Sequence, residues 1–345
     1  MAPEVLSPSR LTRLAYRARE AAIRLPLVAV HLGLRPFMPP AQRPTERDLL
    51  ALRRRHRALL ERDIRNTEAG SYPRELLFSL PVADYVADLP ALAREIGRMV
   101  ARARRGAVRD LPDDVDLGRY PDYFRRNFHW QSDGYLSPRS AALYDAGVEF
   151  LFLGTADVMR RQVIPPITAF VSGAEGPSRI LDVGAGTGRT LGQLARALPD
   201  AKYFALDLSP YYLRHATRAL SSVRDVSFVV DNAERMPFRD GELDVVTSTF
   251  LFHELPTRAR QAVAREAYRV LKPGGLFVVL DSAQLVESDE LRVFLENFAA
   301  SMNEPFFASY LSEPLEGLFE AHGFSVREVA PCFLSKLVVA AKPSG

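Results

Sequence analysis

The feature that most constrains the fold of this chain is a glycine-rich turn that joins an apolar run to an amphipathic segment. The run covers residues 179–183, the turn is Gly-Ala-Gly-Thr-Gly at 184–188, and apolar residues then recur at helical spacing over 191–198. This order predicts a buried strand, a tight turn and a helix of an α/β protein. Because glycine permits unusual backbone torsions and has no Cβ atom, a ligand can lie against main-chain amides at the helix N-terminus. The turn is therefore predicted to bind a cofactor.

The spacing of the glycines indicates which kind of cofactor is disfavoured. A dinucleotide-binding turn has the pattern G-x-G-x-x-G, whereas residues 184–188 have G-x-G-x-G. By itself this difference is a weak discriminator, so the motifs further along the chain have to decide. Together with the motif after the fourth predicted strand, this spacing makes a Rossmann dehydrogenase the least favoured function.

Further strands follow the turn at regular intervals, and polar residues stand at their ends. A second strand is predicted at 202–209 and contains Asp207, at the position where doubly wound folds place an acid against ribose hydroxyls. The other predicted elements are a third strand from 225 that ends in the polar residues 231–234, a fourth strand at 243–250, a helix at 257–270, a turn at 271–275 and a fifth strand at 276–280.

Five motifs occur in a fixed order in this half of the chain: ILDVGAGTG, ALDLS, DNAERMPF, LDVVTSTFLFHEL and LKPGG. Together they resemble the class I S-adenosylmethionine-dependent methyltransferases, in particular the small-molecule branch, over residues 177–345. The resemblance implies a Rossmann-like, doubly wound α/β fold with a seven-stranded sheet. Its last strand would be antiparallel, here at 336–342 after a strand at 326–332. It also implies S-adenosyl-L-methionine as the cofactor.

The same resemblance implies which residues bind the cofactor. The loop residues would surround its methionine part, Asp207 would hold the ribose, and residues after the second and third strands would face the adenine. Strand-end caps or turn formers are the alternative for Asp207 and Asp231. The implied set is Asp182, Gly184, Ala185, Gly186, Gly188, Asp207, Leu208, Asp231, Asn232, Thr249 and Phe250, with Tyr135 from an aromatic lid.

The methyl acceptor is narrowed by a motif that the fourth strand lacks. Residues 248–251 are Ser-Thr-Phe-Leu, where methyltransferases of nucleic-acid bases and glutamine amides carry an Asn/Asp-Pro-Pro-aromatic motif. We therefore expect a small, partly apolar acceptor, with O- or C-methylation favoured over N-methylation. The alternatives are a nucleic-acid methyltransferase or binder, and a non-catalytic regulator that binds S-adenosylmethionine.

Three residues are candidates for acid–base chemistry, which the in-line displacement needs only if the acceptor has a proton to lose. His253 follows the fourth strand, and imidazole titrates near neutrality, although a pocket-lining role is the alternative. His129 and Glu304 are on segments expected to fold over the same cavity, whereas Glu254 is expected to cap a helix or pair with an arginine. No metal site is predicted, and the single Cys332 excludes a cysteine-held iron–sulfur cluster.

The chain is predicted to have three parts: an Arg-rich helical module at 1–110, a lid and helical connector at 111–173, and the methyltransferase domain at 174–345. The resemblance implies a substrate cap at about 282–312 of the last part, and an ordinary packed crossover helix is the alternative there. The aromatic segment 117–140 within the second part closes over the cofactor or, alternatively, packs the helical module on the sheet. Its lid candidates are Tyr123, His129, Asp133 and Tyr135.

Helices are predicted in the first two parts from periodicity and capping residues. They cover 10–25, 46–66 with Thr45 as cap, 88–105 ending at Gly106, 138–152 after Ser137, and 155–171 with Thr155 as cap and a bend at Pro165 and Pro166; a linker contains Pro36, Pro39, Pro40 and Pro44. The first of them is amphipathic, and its apolar stripe is expected to cover the catalytic domain.

Charge is distributed unevenly along the chain. Residues 1–109 carry 21 arginines against 11 acidic residues, and the net charge of the whole chain is +3. A solvated face is the favoured explanation, and contact with nucleic acid or an anionic membrane is the alternative.

The apolar run 25–34 is too short to span a membrane. We expect a cytoplasmic protein, with peripheral contact of residues 10–34 with the inner membrane face as an alternative, a small-molecule partner and no nucleic acid; the oligomeric state stays open.

Overall fold

A computed structural model describes residues 10–34, 41–173 and 176–344. These residues contain a seven-stranded sheet with the strand order β3-β2-β1-β4-β5-β7-β6. The first five strands pair in parallel, and β7 is antiparallel to both β5 and β6. The strands are β1 Arg179–Val183, β2 Lys202–Asp207, β3 Val226–Val230, β4 Leu243–Thr249, β5 Leu271–Ser282, β6 Ser325–Cys332 and β7 Ser335–Ala341. The predicted fold class is confirmed.

Helices cover both faces of the sheet and form most of the first 173 residues. They are α1 Arg10–Leu34, α2 Glu46–Glu68, α3 Val82–Arg105, α4 Pro138–Leu151, α5 Ala156–Arg160, α6 Ile164–Val171, α7 Arg189–Ala197, α8 Pro210–Ala219, α9 Thr257–Val270, α10 Leu285–Ser288, α11 Arg292–Ser301, α12 Phe307–Ser312 and α13 Leu315–Ala321. The prediction for α9 is correct at both ends. Strand β5 begins at Leu271, five residues before the predicted strand, because Leu271 already pairs with Leu243 of β4; a register irregularity then separates this pair from the pair of Leu276 and Val245.

The helix ends that agree with the prediction are those marked by capping residues. Thr45 and Asp48 form a reciprocal capping box at the start of α2. Helix α3 ends at Gly106, whose φ of 61° suits glycine. Its predicted start at 88 is wrong, because the first turn forms directly after Pro81 and the helix continues through Pro90.

The single helix predicted over 155–171 is two helices. Helix α5 ends at Arg160, a 3₁₀ turn covers Arg161–Val163, and α6 begins ahead of its two prolines, which fit a first helical turn. The predicted Thr155 cap is also wrong. The carboxylate of Glu149 accepts hydrogen bonds from the backbone N–H groups of Ala156 and Asp157, at 3.0 and 2.7 Å.

Helix α1 packs with the face opposite to the one predicted. Tyr16 and Glu20 are buried, whereas Leu11, Leu14 and Leu25 of the apolar stripe are 78, 66 and 60% exposed. The expectation that this stripe covers the catalytic domain is therefore wrong.

A buried polar network orients α1 in this way. The hydroxyl of Tyr16 donates to Asp63 at 2.5 Å, and Arg161 pairs with the same carboxylate at 2.6 Å. Tyr72 also donates to Asp63, at 2.6 Å. A buried carboxylate with this many donors holds its partners firmly, so the helix presents its leucines to solvent.

The helical module shares one apolar core with the sheet. Tyr16 of α1 and Leu59 and Ile64 of α2 belong to the same buried cluster as Ile180 of β1 and Val245 of β4. The predicted domain boundary at 174 and Pro36, Pro39 and Pro40 of the predicted linker lie outside the described residues.

One helical region among the described residues has the length and apolar composition to cross a membrane. It covers 74–105, its most apolar window has a mean hydropathy of 1.4, and 22% of that window is buried. Core helices of soluble proteins pass the same test. The region is also interrupted, because a 3₁₀ helix at Arg74–Phe78 ends before Pro81 and α3 begins after it.

Candidate active site

A cavity of about 700 Å³ opens at the carboxyl ends of the parallel strands β1, β2 and β4. Ligands of doubly wound sheets bind at this edge, where the strand order reverses. The lining residues are Tyr123, Phe124, Tyr135, Tyr144, Gly184, Gly186, Leu206, Asp207, Leu208, Tyr212, Asp231, Asn232, Ala233, Thr249, Phe250, Leu251, Glu254, Leu255 and Val263.

The glycine loop after β1 forms one wall of the cavity. Gly184, Gly186 and Gly188 have φ values of 70, 54 and 79°, a region that side chains rarely adopt. A Cβ atom on Gly186 would meet its nearest neighbours, the Gly184 carbonyl and the Tyr212 ring, at 3.9 Å, which is an ordinary contact distance. A Cβ atom on Gly188 would lie 2.8 Å from Leu220. A Cβ atom on Gly184 would lie 3.2 Å from Leu251, so this glycine allows the close approach of the loop after β4, and Gly188 allows α7 to pack on α8.

Asp207 connects the glycine loop to the end of β2. Its Oδ2 accepts a hydrogen bond from the N–H of Gly186, and its Oδ1 accepts one from the N–H of Ser209, both at 2.8 Å. Burial raises the pKa of Asp207 to about 6, although the backbone hydrogen bonds favour the charged form and oppose this shift. The carboxylate is therefore fixed at the cavity wall, where hydroxyl groups of a ligand can reach its remaining lone pairs.

Two buried polar atoms beside the cavity have no hydrogen-bond partner within the described part of the chain. They are Oδ1 of Asp182, at the end of β1, and Oγ1 of Thr249, at the end of β4. Burial, together with the charge of Asp207, raises the pKa of Asp182 to about 8. Because native proteins rarely leave buried polar atoms unpaired, a polar ligand in the cavity fits this arrangement.

The predicted adenine side of the cavity is a polar turn after β3. Oδ1 of Asp231 accepts from the backbone N–H of Asn232 at 2.7 Å, and the side-chain amide of Asn232 donates to Glu234 at 3.2 Å. The hydroxyl of Tyr123 donates to the same Glu234 carboxylate at 2.7 Å. The lid segment is thereby tied to the turn that it faces.

The aromatic segment covers the cavity and also packs against its neighbours. Tyr135 stacks on Phe128 with ring centroids 5.5 Å apart and meets Tyr212 of α8 edge-on at 5.3 Å. The indole N–H of Trp130 donates to the carbonyl of Ser301 at 2.8 Å, which joins this segment to the predicted cap. The segment therefore both lines the cavity and packs against its neighbours, and its closure over a cofactor stays a prediction. Asp133, another of the lid candidates, does not line the cavity. Its carboxylate pairs with Arg139 at 3.1 Å.

The three candidate acid–base residues meet in one place. His129, His253 and Glu304 each offer a nitrogen or oxygen atom to a cluster that also includes Glu254, and these atoms all lie within 4.8 Å of one another. We call these four residues the polar cluster. Glu254 lines the cavity as well, so the cluster adjoins it. The predicted cap or arginine partner for Glu254 is wrong, since its carboxylate accepts from the hydroxyl of Tyr135.

His253 is oriented by an acid that the sequence analysis did not identify. Its Nδ1 lies 2.6 Å from Oδ1 of Asp281, and Oδ2 of Asp281 accepts from the backbone N–H groups of Leu251 and Phe252 at 3.0 and 2.7 Å. Burial alone would lower the pKa of His253, but the charge of Asp281 and this hydrogen bond raise it to about 9. Asp281 stands near the end of β5 and could have been found as a strand-end acid.

The two glutamates of the polar cluster are buried close to each other. Burial and the charge of Glu304 raise the pKa of Glu254 to about 7. Burial lowers the pKa of His129, but the charge of Glu304 outweighs this and the net shift is upward. Oε1 of Glu304 is 2.9 Å from Nε2 of His129, yet neither Glu304 oxygen accepts a well-aligned hydrogen bond from any described residue.

Aromatic rings of the predicted cap surround the polar cluster. The rings of Phe307 and Tyr310 meet the His253 ring edge-on, with centroids 5.8 and 6.1 Å away. Phe298 lies 6.0 Å from the His129 ring. The cluster is therefore a polar site with apolar walls.

Comparison with known proteins identifies the domain that carries this site. Residues 180–275 match the family described as a methyltransferase domain, and the matched segment contains the glycine loop, Asp207 and His253. The chain belongs to the class I S-adenosylmethionine-dependent methyltransferases. Its cofactor is S-adenosyl-L-methionine, whose polar groups suit the fixed Asp207 and the unpaired atoms of Asp182 and Thr249.

The methyltransferase is similar to curated enzymes with different acceptors. It is 32% identical over 200 residues to a malonyl-[acyl-carrier protein] O-methyltransferase of Geobacter sulfurreducens, covering 57% of this chain and 66% of the relative. It is 33% identical over 150 residues to a ubiquinone/menaquinone biosynthesis C-methyltransferase of Vibrio parahaemolyticus, covering 42 and 55%. The matches thus span between about half and two thirds of the length of these relatives.

A solved structure is also similar to this chain, at lower identity. It is described as a complex of the Haloferax volcanii Trm112 methyltransferase activator with a putative methyltransferase, and the match has 23% identity and a TM-score of 0.44 over 60% of this chain and 97% of that one.

Most of the predicted cofactor residues of this methyltransferase line the cavity. They are Tyr135, Gly184, Gly186, Asp207, Leu208, Asp231, Asn232, Thr249 and Phe250. Asp182, Ala185 and Gly188 lie outside the lining set, and cofactor binding by each residue stays a prediction. The sequence analysis did not identify Tyr144 of α4 and Tyr212 of α8 as lining residues. No local sequence pattern shows that these helices pack beside the glycine loop.

Proposed function

We propose that this methyltransferase transfers the methyl group of S-adenosylmethionine to an oxygen or carbon atom of a small, partly apolar metabolite. The observation that carries the proposal is the polar cluster, which adjoins the cofactor cavity through Glu254 and is enclosed by aromatic rings. In-line displacement requires the acceptor atom to be held at the methyl group and its proton to be taken up. The cluster supplies polar atoms for both tasks beside the reacting centre.

The walls of the site favour an acceptor with one polar and one apolar part. Tyr123, Phe124 and Phe250 line the cavity together with Glu254, so an apolar body would be buried against these rings and an ionisable oxygen or carbon would face the cluster. The names of the two curated relatives, an O-methyltransferase and a C-methyltransferase, support the same two kinds of acceptor atom.

The arginines of the helical module give less support to a nucleic-acid acceptor. Several of them pair with acids of this chain, such as Arg13 with Glu68 and Arg62 with Glu328. Paired arginines have less charge available for phosphates. Contact with nucleic acid is therefore left out of the proposal.

The proposal is tested by supplying the protein with S-adenosylmethionine that carries a deuterated methyl group. The acceptor panel contains carboxylic acids, phenols, hydroquinones and β-dicarbonyl compounds, with amines and transfer RNA as the opposing set, and products are identified by mass spectrometry. We expect label on oxygen or carbon, and a loss of rate of about 10²- to 10⁴-fold in Glu304→Gln. Glu320→Gln, an exposed acid on α13, is the matched control. Label found only on amines or RNA would refute the proposal.

We also propose that the protein is cytoplasmic and rests on the anionic inner membrane face through α1. The exposed Leu11, Leu14 and Leu25 lie in one stripe of this helix, on a module rich in arginine, and an apolar stripe with basic flanks is typical of interfacial helices.

Sedimentation with vesicles that contain phosphatidylglycerol tests this location. The double variant Leu14→Gln/Leu25→Gln should weaken binding, whereas Leu50→Gln, an exposed leucine of α2, should not. Equal binding by the two variants, or no binding by the unmodified protein, would contradict the proposal.

A further inference from the structure

We propose that the polar cluster of His129, His253, Glu254 and Glu304 binds one divalent transition-metal ion. This inference differs from the sequence-based prediction of no metal site. The claim that the cluster binds an ion is argued from the geometry of the four residues alone. The role given to the ion, which is to hold an oxygen atom of the acceptor, rests on the proposed function.

The distances within the polar cluster suit a single ion. One ligand atom from each residue lies within 4.8 Å of all the others. Around an ion with bonds of about 2.0–2.2 Å, ligand atoms are separated by about 3 to 4 Å. Shifts of less than an ångström would therefore bring all four atoms to bonding distance.

His253 has the second partner that metal-binding histidines usually have. Its Nδ1 is held by Asp281 at 2.6 Å, and Asp281 is held in turn by two backbone N–H groups. A carboxylate at one ring nitrogen fixes the tautomer and orients the other nitrogen toward a metal. Nε2 of His253 is thus left to face the cluster.

Glu304 supplies an independent observation that a ligand is expected here. Its side chain is fully buried, and among the described residues neither of its oxygens accepts a well-formed hydrogen bond. Oε1 of Glu304 lies 2.9 Å from Nε2 of His129 without the alignment of a hydrogen bond, so the lone pairs of this buried carboxylate are open to a cation. An ion in the cluster would occupy these lone pairs and balance the two glutamates.

The donor set indicates the class of metal. Carboxylates alone would suit magnesium or calcium, whereas two imidazoles beside two carboxylates favour zinc, manganese or iron as the divalent ion. The four protein ligands come from three separate segments, and an acceptor oxygen would bind as a fifth ligand. Because Glu254 also lines the cofactor cavity, a metal ion in the polar cluster would lie at the edge of that cavity.

The test uses the full chain after chelation and dialysis. Co²⁺ is titrated and followed by its visible absorption bands, and Zn²⁺ is titrated by calorimetry. We expect one ion per chain, and a loss of affinity of at least 10-fold in the near-isosteric Glu304→Gln and in His129→Ala. His322→Ala, a histidine of the α13 end that bonds only to the Leu318 carbonyl among described residues, should bind like the unmodified protein.

A variant outside the cluster separates metal binding from structural effects. Asp281→Asn keeps the shape of the partner of His253 but alters its charge, and loss of such a partner weakens metal sites by about 10- to 100-fold. S-adenosylhomocysteine binding, measured on the same samples, reports whether the fold and cofactor site persist.

The outcomes distinguish this inference from the proposed function. Absence of stoichiometric Co²⁺ and Zn²⁺ binding, or equal binding by Glu304→Gln and the unmodified protein, would overturn the metal site and leave an internal ion-pair network in its place. Failure to bind S-adenosylhomocysteine or to methylate any acceptor would overturn the function instead, whatever the metal result.

Discussion

Replacement of Asp207 by asparagine should weaken cofactor binding by a predictable amount. Both carboxylate oxygens of Asp207 accept backbone N–H groups, from Gly186 and Ser209 at 2.8 Å. The asparagine amide has only one acceptor oxygen, so its NH₂ group would face one of these donors. A hydrogen bond to a charged group contributes about 1.5–3 kcal/mol, and the loop that it holds is the one predicted to contact the cofactor.

That free energy corresponds to a rise in the dissociation constant of about 10- to 150-fold. The assay is calorimetric titration with S-adenosylhomocysteine, which avoids turnover. Asp225→Asn is the matched control, since Asp225 is an exposed acid at the start of β3. A change of less than about threefold in Asp207→Asn, with the protein folded, would refute the assignment of Asp207 to the cofactor site.

Three further predictions concern stability, measured by urea unfolding. Gly188→Ala should lower the free energy of unfolding by at least about 1–2 kcal/mol, because φ is 79° and the added Cβ would lie 2.8 Å from a leucine side chain; an unchanged midpoint would contradict this. Burial raises the pKa of Glu20 to about 7 from 4.5, so about 3 kcal/mol of stability present below pH 4.5 should be lost as the pH rises to 7, and a Glu20→Gln variant with the same pH slope would disprove it. Arg161→Met should cost about 3–5 kcal/mol by leaving Asp63 buried without its ion pair, whereas Arg62→Met at a surface pair should cost less than about 1 kcal/mol.

The sheet could be predicted because its information is local. The apolar runs before Gly184 and around Asp207 each have the length of a buried strand, and the intervening turns contain glycine or proline. Parallel strands place their carboxyl ends at one edge. The lining residues Gly184, Asp207, Asp231 and Thr249 thus came together as expected.

Other features depend on contacts that no local pattern records. The orientation of α1 is set by the bonds of Tyr16 and Arg161 to Asp63, residues far apart in sequence. An amphipathic stripe normally marks the buried face of a helix, and here a buried polar network decides otherwise. In the same way, the role of Asp281 as the partner of His253 depends on the pairing of β5 in the sheet, which places Asp281 beside the loop that contains His253.

The most direct test of the site is a crystal structure of the protein with S-adenosylhomocysteine. We predict that the ligand fills the 700 Å³ cavity, with its ribose hydroxyls on Asp207 and its sulfur atom on the side of Glu254 and the polar cluster. A ligand bound elsewhere, or one whose sulfur points away from the cluster, would contradict the proposed arrangement of cofactor and acceptor.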